Sequence, residues 1–502
     1  MLTWTVDMNV VVRSAALVGI DAVEVEVEAQ VQRGSLAGIR IVGLPDGAIR
    51  ESRDRVKAAI RALGFEFPRS GVLINLAPAH LRKTGPAFDL PIALAILAAT
   101  EQIPTERLAE LLVVGELALN GEIRPVRGLL SMLLLARTVG AKGVLARGAI
   151  GPTSASAQVP VFAPRTIGDA ALWLRGELDL PPVTSEPASD PGEQDEDLQD
   201  VRGQEQAKRA LVIAAAGGHN LLLIGSPGTG KTMLCQRLPG VLPDLAPEAA
   251  FEVARIHGAA GLPPPGLRPP FRAPHHTASH VGLVGGGNPI GPGEITLAHH
   301  GILFLDEICE FSRHVLETLR GPLEDAHITV TRAGVRITLP AEFQLVATMN
   351  PCPCGYHGAR RRECHCSEAD IRRYRDRISG PVLDRIDLRV TMEAIDAEAL
   401  VRVGGTLTSR EARANTVRAI ECQRARYHGL PFHRNHAIPV ARLHEFCSTS
   451  PEIDILLRGA IERMALSARA YTRIVRVART IADLRGSAEI SRDDVIQALS
   501  FR

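Results

Sequence analysis

The stretch NLLLIGSPGTGKT, residues 220–232, decides how this chain folds. A run of apolar residues with strand character leads into Gly225, and the eight residues 225–232 fit G-x-x-x-x-G-K-[ST]. That pattern behind a buried strand cradles phosphate. Gly225, Ser226, Pro227, Gly228, Thr229, Gly230, Lys231 and Thr232 are therefore assigned to nucleotide binding. Gly228 and Gly230 let backbone amides turn inward onto phosphate oxygens, Lys231 brings a point charge, and Thr232 offers a hydroxyl to Mg²⁺. A glycine turn before a helix is the bland alternative; strand, loop and Lys-Thr together outweigh it.

Working outward, two further short apolar runs, 301–305 and 343–348, stop as abruptly as the first. Buried parallel strands end in this way where their carboxyl ends meet a ligand. The first delivers Asp306 and Glu307, one carboxylate for the Mg²⁺ shell and one to polarise a water. The second ends at Asn350, whose amide can orient that water. Helix capping and turn formation before Pro351 are the ordinary alternatives for these residues.

The rest of the chain divides around this core. Residues 179–200 are proline, serine and acidic residues with little to bury, and read as a linker. Residues 1–178 mix alternating valine-rich stretches (22–31) with helical patterns (52–63 and 90–99), an α+β domain. Residues 201–392 form the α/β parallel-sheet core. Residues 393–502 turn helical, with amphipathic stretches at 411–427, 454–464 and 468–484, and read as a separate lid.

Composition sets the limits on function. The formal charge of +1 from 57 basic and 56 acidic residues excludes a global basic field, so any nucleic-acid contact is local. The first residues lack a signal pattern, and the apolar runs are too short to span a bilayer, so a cytoplasmic protein without membrane contact is expected. Four of the eight cysteines, Cys352, Cys354, Cys364 and Cys366, stand in CPCGYHGARRRECHC. They read either as a structural Zn²⁺ site or as reduced thiols, since the x1 spacing departs from the usual x2 to x4, with His357 or His365 as alternative ligands. The segment ITVTRAGVRITLP, 328–340, reads as a hairpin with Arg332 and Arg336 beside its turn. Two arginines there suit a phosphate backbone, or simply a solvated turn. Residues 271–300 read as a loop with extended arms around Gly285–Asn288; their histidines show no established metal-ligand spacing.

GSPGTGKT, LFLDE, ATMNP and SGPVLDRIDL together resemble the AAA+ branch that contains the magnesium chelatase motor subunit. That resemblance implies a catalytic arginine finger at Arg385, acting on the ATP of the neighbouring subunit. SARAYTRIVRVARTIADL is similar to the second sensor region and implies a γ-phosphate sensor at Arg469, with Arg473 as the other candidate. A finger working in trans needs head-to-tail subunits, and the resemblance implies a homo-hexameric ring. The stretches RKTGPAFDLPIALAIL and GELALNGEIRPVRGLLSMLLLA resemble the proteolytic domain of Lon, but Ala87 and Met132 stand where the nucleophile and its lysine belong. Neither can attack a peptide or take a proton, so peptidase activity is not expected. With VGLPDGAIRESRDRVKAAI, the likeness extends over essentially the whole chain to the Mg-chelatase-like ComM/YifB family. It implies an ATP- and Mg²⁺-dependent motor on single-stranded or branched DNA, a branch-migration helicase of natural transformation working with recombination proteins. The alternatives are a chelatase-type motor inserting metal into porphyrin and a protein remodeller.

Overall fold

The computed structural model describes residues 9–32, 38–148, 158–183, 196–287, 289–332, 335–359, 362–394 and 407–502. They fall into two compact units, the first holding residues 1–190, 247–266 and 286–292, the second the remainder.

In the first unit, apolar/polar alternation from Val23 to Gln32 makes Asp21–Gln32 a half-buried strand, and it is joined as a hairpin through Gly19 and Ile20 to the more apolar strand Asn9–Val18, with Val18 facing Asp21. They sit inside a seven-stranded mixed sheet ordered Gly38–Val42, Gly71–Ala77, Asp21–Gln32, Asn9–Val18, Leu111–Val113, Gly143–Leu145, Val161–Phe162. All residues of the helix Asp89–Ala99 are buried, and beyond Asp89, which Arg55 pairs at 2.8 Å, it is apolar on every side. Ala87 lies half-buried in the 3₁₀ turn Pro86–Phe88 just before it. Met132 is buried in the helix Leu129–Thr138, in an apolar cluster with Leu112, Val144 and Ala254. Ala254 comes from the helix Pro247–Ala260, which the sequence assigned to the α/β core.

The second unit carries a five-stranded, wholly parallel sheet in the order Phe271–Arg272, Ile302–Leu305, Gln344–Met349, Leu221–Gly225, Leu388–Met392. The edge strand Phe271–Arg272 is two residues long and was not foreseen. The expected extended arms that follow it also differ: His280–Val284 and Glu294–Leu297 are short helices, the first capped by Ser279. Asn288 lies outside the described residues.

The C-terminal helices close one apolar core with this sheet. Ile474, Val475, Ala478 and Ile481 of the helix Ala468–Arg485 share a cluster with Leu221, Leu223 and Val346. A buried carboxylate fixes that packing: Asp483 accepts from Arg426, Arg479 and Asn435 at 2.8–3.1 Å, and so ties Ser409–Arg426 to Ala468–Arg485. The acidic linker ends earlier than its composition implied. Leu198 is fully buried, Asp197 caps a 3₁₀ turn, and Glu196 pairs at 2.9 Å with the buried Arg237; residues 184–195 lie outside the described set.

Candidate functional site

The phosphate loop leaves the strand Leu221–Gly225 and enters the helix Lys231–Gln236. Gly228 (φ 79°) and Gly230 (φ 87°) occupy the left-handed region, so a side chain at either would strain the loop. Lys231 is 7% exposed, and its Nζ donates to the Gly225 carbonyl at 2.6 Å, the Ser226 carbonyl at 3.0 Å and Asn350 Oδ1 at 3.1 Å. Burial lowers its pKa, and Asp306 and Glu307 partly oppose that shift.

Strand register brings the remaining groups together. Leu305 pairs with Ala347, and Ile224 with Met349, so residues one step further on converge at one end of the sheet. Thr232 Oγ1 lies 3.1 Å from both oxygens of Asp306. A hydroxyl and a carboxylate at that spacing form the hard-oxygen pair that suits Mg²⁺, so these residues fit the ion that ATP carries. Glu307 adopts φ 50°, an uncommon conformation for a residue with a side chain, and is exposed. Its Oε1 accepts from Asn350 Nδ2 at 3.4 Å. Asn350 thus bridges Lys231 and Glu307.

Two contributors escaped the sequence reading. Thr348 is fully buried, donates to Asp306 Oδ1 at 2.5 Å and accepts the Glu307 backbone amide at 2.9 Å, which fixes the Asp306 carboxylate and the Glu307 backbone at once. A hydroxyl inside an apolar strand was its only signal. Gln204, at φ 57°, donates to the Thr229 carbonyl at 3.3 Å and to the Glu393 carbonyl at 2.8 Å, beside the loop.

The arginines lie elsewhere. Leu221 pairs with Leu388 and Gly225 with Met392, so Arg385, just before that strand, sits at the amino end of the sheet while the phosphate loop leaves the carboxyl end. The strand alone separates the two ends by about 13 Å. Arg385 donates to the Pro381 carbonyl at 2.8 Å and pairs with the exposed Glu324, while its own carbonyl accepts from Asn220. Arg473 is also at the amino end, buried and 3.5 Å from Asp387. Burial alone would raise Asp387, but His219, Arg473 and the Asn220 amide hold it down at about 2. In its own chain Arg473, the other sensor candidate, therefore lies with Asp387 at the end of the sheet opposite the phosphate loop. Arg469, one turn earlier on the same helix, is exposed.

The expected hairpin forms from His327–Arg332 and Val335–Pro340, with Arg332 opposite Val335 and Arg332 and Arg336 exposed. The four cysteines converge. Cys352 Sγ lies 3.3 Å from Cys354 Sγ and 3.6 Å from Cys364 Sγ, and all four sulfurs fall within 4.8 Å of one another. His357 and His365, the alternative ligands, are exposed and are not members of this group.

Comparison with known proteins agrees with these motifs over most of the chain. Residues 197–400 match the family model for magnesium chelatase, subunit ChlI; residues 27–148 match that for subunit ChlI of Mg-chelatase; residues 406–502 match that for the ChlI C-terminal part. The chain is 43% identical to an uncharacterized protein of Mycobacterium tuberculosis over 97% of both chains. It is 41% identical to uncharacterized protein YifB of Escherichia coli over 98% of this chain and 96% of that one. Competence protein ComM of Haemophilus influenzae is 39% identical over 98% and 97%. Among the described residues no helix is long and apolar enough to cross a membrane.

Proposed function

Because this chain belongs to the Mg-chelatase-like family of AAA+ ATPases, with ComM and YifB among its full-length relatives, we propose that it is a homo-hexameric ring motor translocating on DNA, a branch-migration helicase of transformation and recombination. The observation that carries this reading is the exposed arginine hairpin, Arg332 and Arg336, inserted between the strands that deliver Glu307 and Asn350. A sequence-independent grip on a strand needs such charge more than base readout. The full-length likeness to a competence protein supports the same reading. A groove lined by Arg313, Arg372, Arg373 and Arg377 adds basic surface on the same unit.

In this mechanism Lys231 and the loop amides hold the phosphates, and Thr232 and Asp306 hold the cation. Mg²⁺ held there would neutralise charge on the transferred phosphoryl group. Glu307 takes the proton of the attacking water, and Asn350 keeps that carboxylate oriented. Arg385 faces the site of the adjoining subunit and stabilises charge there; Arg469 is assigned to the γ-phosphate sensor. The cysteine cluster is assigned to a structural Zn²⁺. With Ala87 and Met132, the first unit is proposed as a Lon-like domain without peptidase chemistry.

Three- and four-way DNA junctions incubated with the protein test the proposal. Resolution into duplex arms is expected with ATP and none with a non-hydrolysable analogue. Junctions left intact under both conditions would remove the branch-migration reading.

A further inference from the structure

The cysteine cluster lies directly on the catalytic machinery. Cys352 follows Asn350 by two residues and is fully buried, and the chain then turns tightly, with the Gly355 amide donating to the Cys352 carbonyl at 2.9 Å. Gly355, which closes that turn, has φ 84° and faces the phosphate loop; a Cβ placed on it would lie 2.7 Å from Cδ and 2.9 Å from Cγ of Pro227. The turn and the loop are therefore in van der Waals contact through a glycine that leaves no slack. Arg375 holds the entry to the turn by donating to the Pro351 carbonyl at 3.3 Å.

The donor geometry suits one metal. A tetrahedral Zn²⁺ with Zn–S bonds of about 2.3 Å sets its sulfurs about 3.8 Å apart. The Sγ separations of 3.3, 3.6 and 3.6 Å among Cys352, Cys354 and Cys364 need only small expansion to reach that value. The amide of His357 donates to Cys352 Sγ at 3.3 Å, the kind of outer contact that steadies a metal-bound thiolate.

We infer that Cys352, Cys354, Cys364 and Cys366 hold one Zn²⁺ whose turn buttresses the phosphate loop at Pro227, so that nucleotide affinity depends on the metal. This rests on the assignment of zinc to the cluster and deepens it. Two thiols contributed by the 352–355 turn and two by the 364–366 segment make the metal the cross-link that clamps the turn. Without that cross-link the turn relaxes, Gly355 withdraws from Pro227, and the loop loses the backing that keeps its amides aimed. Binding converts four thiols to thiolates and releases their protons, with no redox change.

The full-length protein, purified without a metal-binding tag, is assayed for zinc and for binding of a fluorescent ATP analogue in excess Mg²⁺. About one zinc per subunit is expected. Extraction with a zinc-selective chelator should weaken the analogue about tenfold, and added Zn²⁺ should restore it. Gly355→Ala should keep its zinc yet bind the analogue about tenfold more weakly, because the added methyl collides with Pro227. Four free thiols or a disulfide with no zinc overturns the metal assignment. Full zinc occupancy, with affinity unchanged both in Gly355→Ala and after extraction, overturns the coupling and leaves the zinc assignment and the ATPase reading standing. Should Gly355→Ala not fold, the extraction and re-addition on the unaltered protein decide the same question.

Discussion

Arg385→Ala is expected to lower ATP turnover by about a thousandfold when it is the only subunit present, and to regain activity when mixed with Lys231→Ala subunits. The expectation follows from where the structure places the guanidinium. Arg385 precedes the strand Leu388–Met392, at the end of the sheet opposite the phosphate loop, so it cannot serve its own nucleotide. In a mixed ring an Arg385→Ala subunit keeps its phosphate loop, and a Lys231→Ala neighbour supplies the missing arginine. Each variant alone should be nearly inactive, and together they should form competent interfaces. The contact with Glu324 is with a carboxylate that is 60% exposed, and such a pair is weak enough to exchange for a phosphate. Steady-state ATPase rates across a titration of the two variants give the readout. Mixtures no more active than either component would remove the action in trans.

Glu307→Gln is expected to bind ATP with near-parental affinity and to hydrolyse it at least about a hundredfold more slowly. The amide keeps the shape of the carboxylate and can still contact Asn350, but it cannot take a proton from water. Lys231, Thr232 and Asp306 remain untouched, so phosphates and cation are still held. The variant should therefore trap an ATP-bound assembly, seen as a stable oligomer by light scattering. Binding of a fluorescent ATP analogue and single-turnover hydrolysis measured on one preparation separate the two effects. Hydrolysis at the parental rate would show that the water is activated by another group.

Much of this site was legible because its chemistry is local in sequence. The phosphate loop, the Asp306–Glu307 pair and Asn350 each stand at the end of an apolar strand, and parallel register then brings such ends together. Thr348 was missed because a buried threonine in a strand is ordinary until its hydroxyl is seen bridging Asp306 and the Glu307 amide. The contact of Arg473 with Asp387 was not legible, because the two are 86 residues apart and only the fold makes the pair. The two-residue strand Phe271–Arg272, with Pro269 and Pro270 before it and Pro274 after, is too short to carry periodicity. The helix Pro247–Ala260 shows the corresponding limit for domains: an amphipathic helix announces that it packs, and not on which core.

In the proposed function, ATP hydrolysis at this site is coupled to DNA. Its most direct test is the steady-state ATPase rate of one preparation with no DNA, single strands, duplex and branched junctions, repeated across a salt series. Single-stranded or branched DNA should raise turnover, and the stimulation should fade as salt releases the arginine contacts from phosphate. Turnover that no form of DNA raises at any salt concentration would rule out a motor coupled to DNA.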